Sequence, residues 1–133
     1  MTKCAGAPVI VHVGSIATRD AVTLARHARE VGTDGVASIL PLFGVGPAST
    51  YLHYETIAAA VPELPFYPYL FGGQTDAVSL LHELRRRIPN LAGAKYTGPN
   101  LYELQALVAM QDAGWTIFSG MDEQCAFAAM FGA

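Results

Sequence analysis

One lysine stands at the end of a short run of small apolar residues, in the stretch LAGAKYTGP at residues 91–99. Lys95 follows Ala92, Gly93 and Ala94, which we expect to leave room around its ammonium group. A lysine that is taken out of water loses proton affinity and becomes a nucleophilic amine. Such an amine condenses with a ketone to give an imine, which accepts electrons when a carbon–carbon bond is formed or broken. A solvated surface lysine is the alternative interpretation of the same position.

Imine chemistry of this kind also needs a general acid or base, and a phenol can serve as one. Tyr69 stands near the end of the preceding apolar segment, PFYPYLF, and Tyr67 stands two residues before it. Because residues two apart share one face of a strand, one of the two tyrosines could serve only in packing. Tyr69 is therefore the candidate proton-transfer group for Lys95.

Two carboxylates follow the last apolar segment, in the stretch SGMDE at residues 119–123. Gly120 permits close approach to the backbone, and Asp122 and Glu123 are good acceptors for substrate hydroxyl groups. Both carboxylates also stand where a helix begins, so simple helix capping is the alternative. His12, inside an apolar segment, is interpreted as a core histidine with satisfied hydrogen bonds.

The elements that must position these residues alternate between two periodicities. Apolar runs of strand length begin at about residues 8, 35, 65, 91 and 116, and the segments between them place apolar residues at helical spacing. This repeat is typical of βα units, and the near-absence of polar alternation predicts strands that are buried on both faces. The sequence therefore predicts an α/β fold with a parallel sheet.

Two architectures share this pattern, a doubly wound open sheet and a (β/α)8 barrel. A complete barrel needs about 250 residues, whereas this chain has 133. The stretch VGSIATRD after the first strand lacks the GxGxxG and GK[ST] loops that bind phosphates. In both architectures the carboxyl ends of the strands line the working face, and the candidate residues stand at those ends.

The composition narrows the classes of partner. Charged residues make up 14% of the chain, below the roughly 25% of an average soluble domain, and the net charge is -3. The basic run RRR at residues 85–87 lies within a helical pattern, which argues against a nucleic-acid groove. No apolar stretch approaches the roughly 18 residues of a membrane span, so we expect a soluble cytoplasmic protein without a membrane partner. Cys4 and Cys125 have no metal-ligand spacing and are interpreted as reduced thiols.

Taken together, the strand ends resemble the N-acetylneuraminate lyase and dihydrodipicolinate synthase family, which are class I pyruvate-dependent aldolases on a (β/α)8 barrel. The resemblance runs from about residue 8 to the last residue. VIVHVG resembles the third barrel strand, GVASILPLF the fourth, LPFYPYLF the fifth, LAGAKYT the sixth and FSGMDE the seventh. The resemblance implies an incomplete TIM (β/α)8 barrel: residues 1–133 would form a single partial domain that lacks barrel strands 1, 2 and 8.

The resemblance also implies roles for the candidate residues. Lys95 resembles the imine-forming lysine of the family and Tyr69 its acid/base tyrosine. Four further residues resemble the positions that contact the sugar acid in the lyase branch: Thr97, Gly120, Asp122 and Glu123. The synthase branch has an arginine shortly after the tyrosine, and YLFGGQTD has none, which favours the lyase branch.

The implied reaction is cleavage of N-acetylneuraminate, or a similar 2-keto acid, to pyruvate and an aldehyde such as N-acetylmannosamine. We expect a small-molecule 2-keto acid as the partner, no metal, no cofactor, and a homo-oligomer, commonly a tetramer in the family, for the full-length protein. A dihydrodipicolinate synthase or other 2-keto-3-deoxy acid aldolase is one alternative. A non-catalytic binding relative is another, because Phe43 stands where many members have a tyrosine of a proton relay.

Two departures from the family bear on activity. YLFG stands where the family usually has Tyr-Asn-Ile-Pro or a similar sequence. The loop that grips the pyruvate carboxylate belongs to the strands that the resemblance does not cover. We therefore expect the isolated 133 residues to be poorly active or inactive.

Overall fold

The computed structural model describes residues 6–40, 46–73 and 76–133. Cys4 and Phe43 lie outside the described residues, so the expectations for these two positions stay predictions. Cys125 is a free, exposed thiol. The elements in chain order are β1 (Ile10–His12), α1 (Thr18–Glu30), β2 (Gly35–Ile39), α2 (Pro47–Ala59), β3 (Phe66–Phe71), α3 (Ala77–Arg87), β4 (Gly93–Thr97), α4 (Leu101–Val108), β5 (Thr116–Ser119), a 3-10 turn (Asp122–Gln124) and α5 (Cys125–Phe131).

Local sequence signals account for the helix starts. The side chain of Asp76 caps α3 by accepting a hydrogen bond from the backbone N–H of Ser79. Asn100 caps α4 in the same way. Pro47 occupies the first turn of α2, where a missing N–H costs nothing.

The five strands form one parallel sheet in the order β1-β2-β3-β4-β5. A doubly wound sheet reverses its strand order at a switch point, and this sheet has no reversal among its described strands. Successive right-handed crossovers in such an order place the helices on one side of the sheet. The prediction of an α/β fold with a parallel sheet is confirmed, and the architecture is that of a partial TIM barrel.

The two faces of the sheet differ in burial. The helix-covered face holds the fully buried side chains of Val36, Phe66, Leu70, Tyr96 and Ile117. The opposite face, here called the open face, is half-buried or exposed and carries the side chains of His12, Ala37, Ile39, Tyr67, Tyr69, Phe71, Lys95, Thr97 and Phe118. The prediction of burial on both faces is therefore wrong, because no element of the described structure covers the open face.

Two of the three arginines at residues 85–87 bind side chains of neighbouring elements, whereas Arg86 pairs with Glu83 of its own helix at 3.2 Å. Arg85 pairs with Asp112 and stacks on the ring of Trp115, with its guanidinium carbon 4.4 Å from the ring centroid. Arg87 pairs with Glu55 at 3.1 Å. These contacts join α3 to α2 and to the segment before β5. Among the described residues, no helix combines the length and the apolar character that a membrane crossing requires.

Candidate functional site

Lys95 and Tyr69 face each other across two neighbouring strands. They are direct partners in the register of β3 and β4. The Nζ atom of Lys95 lies 4.4 Å from the centroid of the Tyr69 ring, and both side chains are half-buried on the open face. A cation over an aromatic face is attracted by the ring quadrupole, which keeps the lysine head beside the phenol. The structure therefore brings the predicted amine and the predicted acid/base into contact.

Thr97 fixes the position of the phenol oxygen. It lies on the same face as Lys95, and its hydroxyl donates a hydrogen bond of 3.0 Å to the hydroxyl oxygen of Tyr69. This bond uses acceptor capacity of the phenol and leaves the phenol's own proton free for another partner. The ring of Phe71 stacks on that of Tyr69, with centroids 4.6 Å apart. Tyr69 is thus held at both its hydroxyl and its ring.

Gly120 makes room for the lysine and the threonine. A Cβ at this position would lie 1.9 Å from the Oγ1 of Thr97 and 2.9 Å from the Cε of Lys95. The backbone N–H of Gly120 donates to the carbonyl oxygen of Tyr96 at 2.8 Å, which sets the end of β5 against β4. Any side chain at position 120 would therefore displace Lys95 and Thr97.

The small residues before Lys95 have a different role from the predicted one. Ala94 is fully buried on the helix-covered face and does not adjoin the ammonium. Gly93 has a φ of +136°, and a Cβ there would lie 1.8 Å from the carbonyl oxygen of Thr116. The expectation that these residues leave room around Lys95 is wrong, because Gly93 instead admits the backbone of β5 and Gly120 supplies the room.

Asp122 and Glu123 lie beyond the end of β5, in the 3-10 turn, and both are exposed. In the described part of the chain, neither makes a side-chain hydrogen bond or an ion pair, and the turn has no side-chain cap. A hydrogen-bonded side-chain cap is therefore absent, although both carboxylates do stand in the first turn, as the helix-start interpretation expects. The structure thus brings together four of the predicted site residues: Lys95, Tyr69, Thr97 and Gly120. The carboxylates of Asp122 and Glu123 stand in solvent just beyond the end of β5.

His12 belongs to this group of residues, although its sequence context indicated a core histidine. Its ring is exposed on the open face, while its Nε2 atom accepts a hydrogen bond of 3.1 Å from the backbone N–H of Ile39. The ring edge meets the Tyr69 ring, with centroids 6.2 Å apart and planes at 85°. The pKa of His12 is lowered, first by partial burial and second by the positive charge of Lys95. The prediction of a core histidine was wrong about burial and correct about the satisfied hydrogen bond. The sequence signal for its place in the site was its position at the carboxyl end of β1.

A buried phenol ties the strand ends together beneath the site. The hydroxyl of Tyr96 donates to a carboxylate oxygen of Glu103, and the other oxygen accepts from the backbone N–H of Ala77 at 3.2 Å. A Cβ on Gly72 or Gly98 would lie 2.6 or 2.4 Å from the Tyr96 hydroxyl, so both glycines are needed for its close packing. Burial, then the bond to Glu103, raises the pKa of Tyr96 well above its usual range. These contacts hold the carboxyl ends of β3 and β4 together.

Comparisons with known proteins agree on one family. Residues 3–133 match the sequence model of the Dihydrodipicolinate synthetase family. The chain is 34% identical over 131 residues to an N-acetylneuraminate lyase of Danio rerio, an alignment that covers 93% of the chain and 43% of that relative. The chain thus spans less than half the length of this relative.

Two solved structures superpose on nearly the whole chain. The catalytic lysine mutant of the Ruminococcus gnavus sialic acid aldolase matches with a TM-score of 0.86 and 31% identity, over 94% of this chain and 42% of that one. YagE, an E. coli protein of the dihydrodipicolinic acid synthase family in complex with pyruvate, matches with a TM-score of 0.86 and 25% identity, over 97% of this chain and 45% of that one. Both solved proteins are also more than twice as long as the matched segment.

Proposed function

The chain belongs to the dihydrodipicolinate synthetase family, and from this we propose that it carries the imine-forming part of a Schiff-base aldolase. The proposed reaction is cleavage of N-acetylneuraminate, or a similar 2-keto acid, to pyruvate and an aldehyde such as N-acetylmannosamine. The observation that carries the proposal is the contact between the Lys95 ammonium and the Tyr69 ring on the open face. The name of the Danio rerio relative supports the choice of substrate.

Lys95 is the proposed nucleophile. Its amine, once deprotonated, attacks the carbonyl carbon of the 2-keto acid, and loss of water gives the protonated imine. The imine nitrogen then takes the electron pair of the breaking carbon–carbon bond and becomes the nitrogen of an enamine. Because the imine is itself the electron acceptor, the scheme includes no metal and no cofactor.

Tyr69 is the proposed proton carrier. In the cleavage direction its phenol oxygen takes the proton of the substrate's β-hydroxyl while its own proton passes to the carboxylate of the bound substrate, and the aldehyde departs. A proton then returns to the enamine carbon, and hydrolysis of the imine releases pyruvate and restores the amine. The hydrogen bond from Thr97 supports this role, because it holds the phenol oxygen in one place with its own proton free.

Thr97, Gly120, Asp122 and Glu123 are the proposed substrate contacts. Gly120 leaves its backbone open beside Lys95, where a side chain would block approach. Asp122 and Glu123 are exposed carboxylates, which are suitable acceptors for the hydroxyl groups of a sugar acid. We place these four residues on the side of the imine from which the aldehyde departs.

The whole protein's activity is proposed to need more than these strands. In the described structure β1 and β5 each pair on one side only, and the open face leaves Lys95 and Tyr69 half in water. Exclusion of water strengthens the electrostatic interactions of an active site. We therefore propose a partial barrel domain that is poorly active in isolation and a full-length protein that assembles as a homotetramer. Robust pyruvate release from N-acetylneuraminate by the 133 residues alone would contradict the first of these statements.

Borohydride reduction in the presence of pyruvate tests the imine directly. The chain has two lysines, Lys3 and Lys95, so peptide mass spectrometry locates the adduct and Lys3 serves as the internal control. The experiment uses the chain alone and the chain joined to the remaining barrel strands of a lyase relative, here called the completed barrel. We expect reduced pyruvate on Lys95 and none in Lys95→Arg. Absence of an adduct on Lys95 in the completed barrel, while the relative itself is trapped in parallel, would rule out the imine.

Competition between N-acetylneuraminate and other 2-keto-3-deoxy acids in the completed barrel then identifies the aldehyde partner. Preference for another acid would favour the alternative aldolases of the family. Pyruvate binding without turnover in the completed barrel would identify a non-catalytic relative.

A further inference from the structure

We propose that His12 is a positioning residue of this site: a neutral imidazole, anchored to the end of β2, that holds the ring of Tyr69 beside Lys95. The proposal rests on the proposed roles of Lys95 and Tyr69 for its functional meaning. Its structural content concerns the three side chains themselves and can be measured without turnover.

The anchor of His12 replaces a strand-to-strand hydrogen bond. β1 ends at His12, which pairs with Ala37 of β2, and the backbone N–H of Val13 donates to the carbonyl of Ala37 at 2.7 Å. Two residues further along β2, the N–H of Ile39 donates to the His12 ring. The imidazole thus takes the place of a backbone acceptor that a longer β1 would offer, and it satisfies a strand N–H that would otherwise be left to solvent.

The anchor also directs the ring toward Tyr69. Ile39 is the register partner of Tyr69 in β3, so the hydrogen bond places His12 next to the strand that carries the phenol. The two rings meet edge to face, a geometry that aromatic pairs favour. On its other side the His12 ring lies against Gly14, where a Cβ would come within 2.6 Å of Cε1. The ring is therefore confined between Gly14 and Tyr69.

The hydrogen bond and the charges of the site select the neutral form. Because Nε2 accepts from Ile39, the single proton of the neutral ring lies on Nδ1. A second proton would set an N–H against the N–H of Ile39 and a cation near Lys95. Among the described residues, the titratable groups that contact His12 or act on its charge are the Tyr69 phenol and the Lys95 ammonium. Neither is a carboxylate that would stabilise the imidazolium, so the neutral ring is the favoured form beside the Lys95 ammonium.

Histidine NMR of the chain tests the state of the ring. We expect Nε2 to show the chemical shift of an unprotonated nitrogen and Nδ1 that of a protonated one at neutral pH, with His12→Gln assigning the signals. Replacing Lys95 by Met should raise the titration midpoint of His12, whereas Lys95→Arg should leave it in place because the charge is kept. A protonated Nε2 at neutral pH, or a midpoint that does not change in Lys95→Met, would overturn the proposal.

Three variants test the positioning of Tyr69. His12→Phe keeps a ring and loses the acceptor, His12→Gln keeps an acceptor and loses the ring, and Gly14→Ala displaces an intact histidine. We expect each to shift the ring resonances of Tyr69, and the surface control His27→Gln, whose side chain is 70% exposed, to leave them unchanged. Unchanged Tyr69 resonances in Gly14→Ala and His12→Gln would overturn the positioning role even if Lys95 still forms an imine with pyruvate. Shifted resonances without an imine would support the positioning of Tyr69 and contradict the proposed function alone.

Discussion

The backbone of Gly120 lies so close to the side chain of Thr97 that a Cβ on Gly120 would be 1.9 Å from the Thr97 hydroxyl oxygen. The same hydroxyl donates to Tyr69, so a single contact joins the ends of β3, β4 and β5. The φ of Gly120 is not in the left-handed region, so its backbone conformation would accept alanine. Lack of space, and not backbone conformation, is therefore what excludes a side chain at position 120.

Gly120→Ala is therefore expected to lower the free energy of unfolding by about 1–3 kcal/mol, the usual cost of overpacking. Thr97→Ala in the same background removes the nearest atom, and the two changes together should cost less than the sum of the single changes. Urea denaturation of the four species of this double-mutant cycle is the measurement. Additive effects would show that Gly120 and Thr97 do not limit each other.

Tyr96→Phe is expected to destabilise the fold by about 1–3 kcal/mol, because it leaves a carboxylate oxygen of Glu103 without its buried donor. Tyr102→Phe is the matched control, since that side chain is 80% exposed and its loss of a hydroxyl should change stability by less than about 0.5 kcal/mol. Equal unfolding free energies for the two variants would contradict the structural role of the phenol.

Stability is expected to fall with acid through His53. This residue is 3% exposed, and its ring nitrogens bond to the hydroxyls of Thr18 and Ser38. Burial lowers the pKa of His53, against a smaller opposite effect of a hydrogen bond with the backbone of Ile39. Below the unfolded-state pKa of about 6.5 the unfolded chain binds protons that the folded chain does not, so the free energy of unfolding decreases as the pH falls.

The measurement for His53 is the difference in unfolding free energy between neutral and mildly acidic solution. His53→Gln should have a smaller difference than the unmodified chain, because its side chain does not titrate. His82→Gln changes another histidine and serves as the control. An unchanged difference in His53→Gln would assign the acid sensitivity to other groups.

Tyr69→Phe should separate imine formation from bond cleavage. The variant keeps the ring that contacts Lys95 and loses only the hydroxyl. In the completed barrel we expect borohydride trapping of pyruvate to change by no more than a few-fold, while pyruvate release from N-acetylneuraminate falls about 10²- to 10⁴-fold, the usual contribution of a general acid or base. Tyr69→Leu, which also removes the ring, should impair both steps. Full activity of Tyr69→Phe would exclude the phenol as the proton carrier.

Strand ends explain why much of the site could be predicted from the sequence. Lys95 and Tyr69 each follow an apolar run of strand length, and parallel strands bring such positions to one edge of a sheet. Their direct pairing also depends on the register of β3 and β4, which the structure supplies. Thr97 was accessible by the same argument, because it shares the face of Lys95.

What the sequence could not indicate depends on contacts between strands. Gly93 looked like a spacer for Lys95, but its reason is the carbonyl of Thr116 in the next strand, which no local pattern reveals. His12 was assigned to the core because strand histidines usually are, whereas its exposure depends on which face of the sheet is covered. The apolar strands also resembled those of a sheet with two covered faces, although one face is open here.

Because each described strand pairs only with its neighbours in the chain, the proposed amine, the phenol, the threonine and the glycine all come from β3, β4, β5 and the residue that follows β5. The segment from Phe66 to Gly120 therefore contains the proposed amine and its proton carrier as one contiguous unit, and the exposed carboxylates Asp122 and Glu123 follow directly after it. Such a unit can be inherited, duplicated or exchanged between genes without separating the groups that act together. His12, which approaches from β1, marks the point where that unit depends on its neighbours.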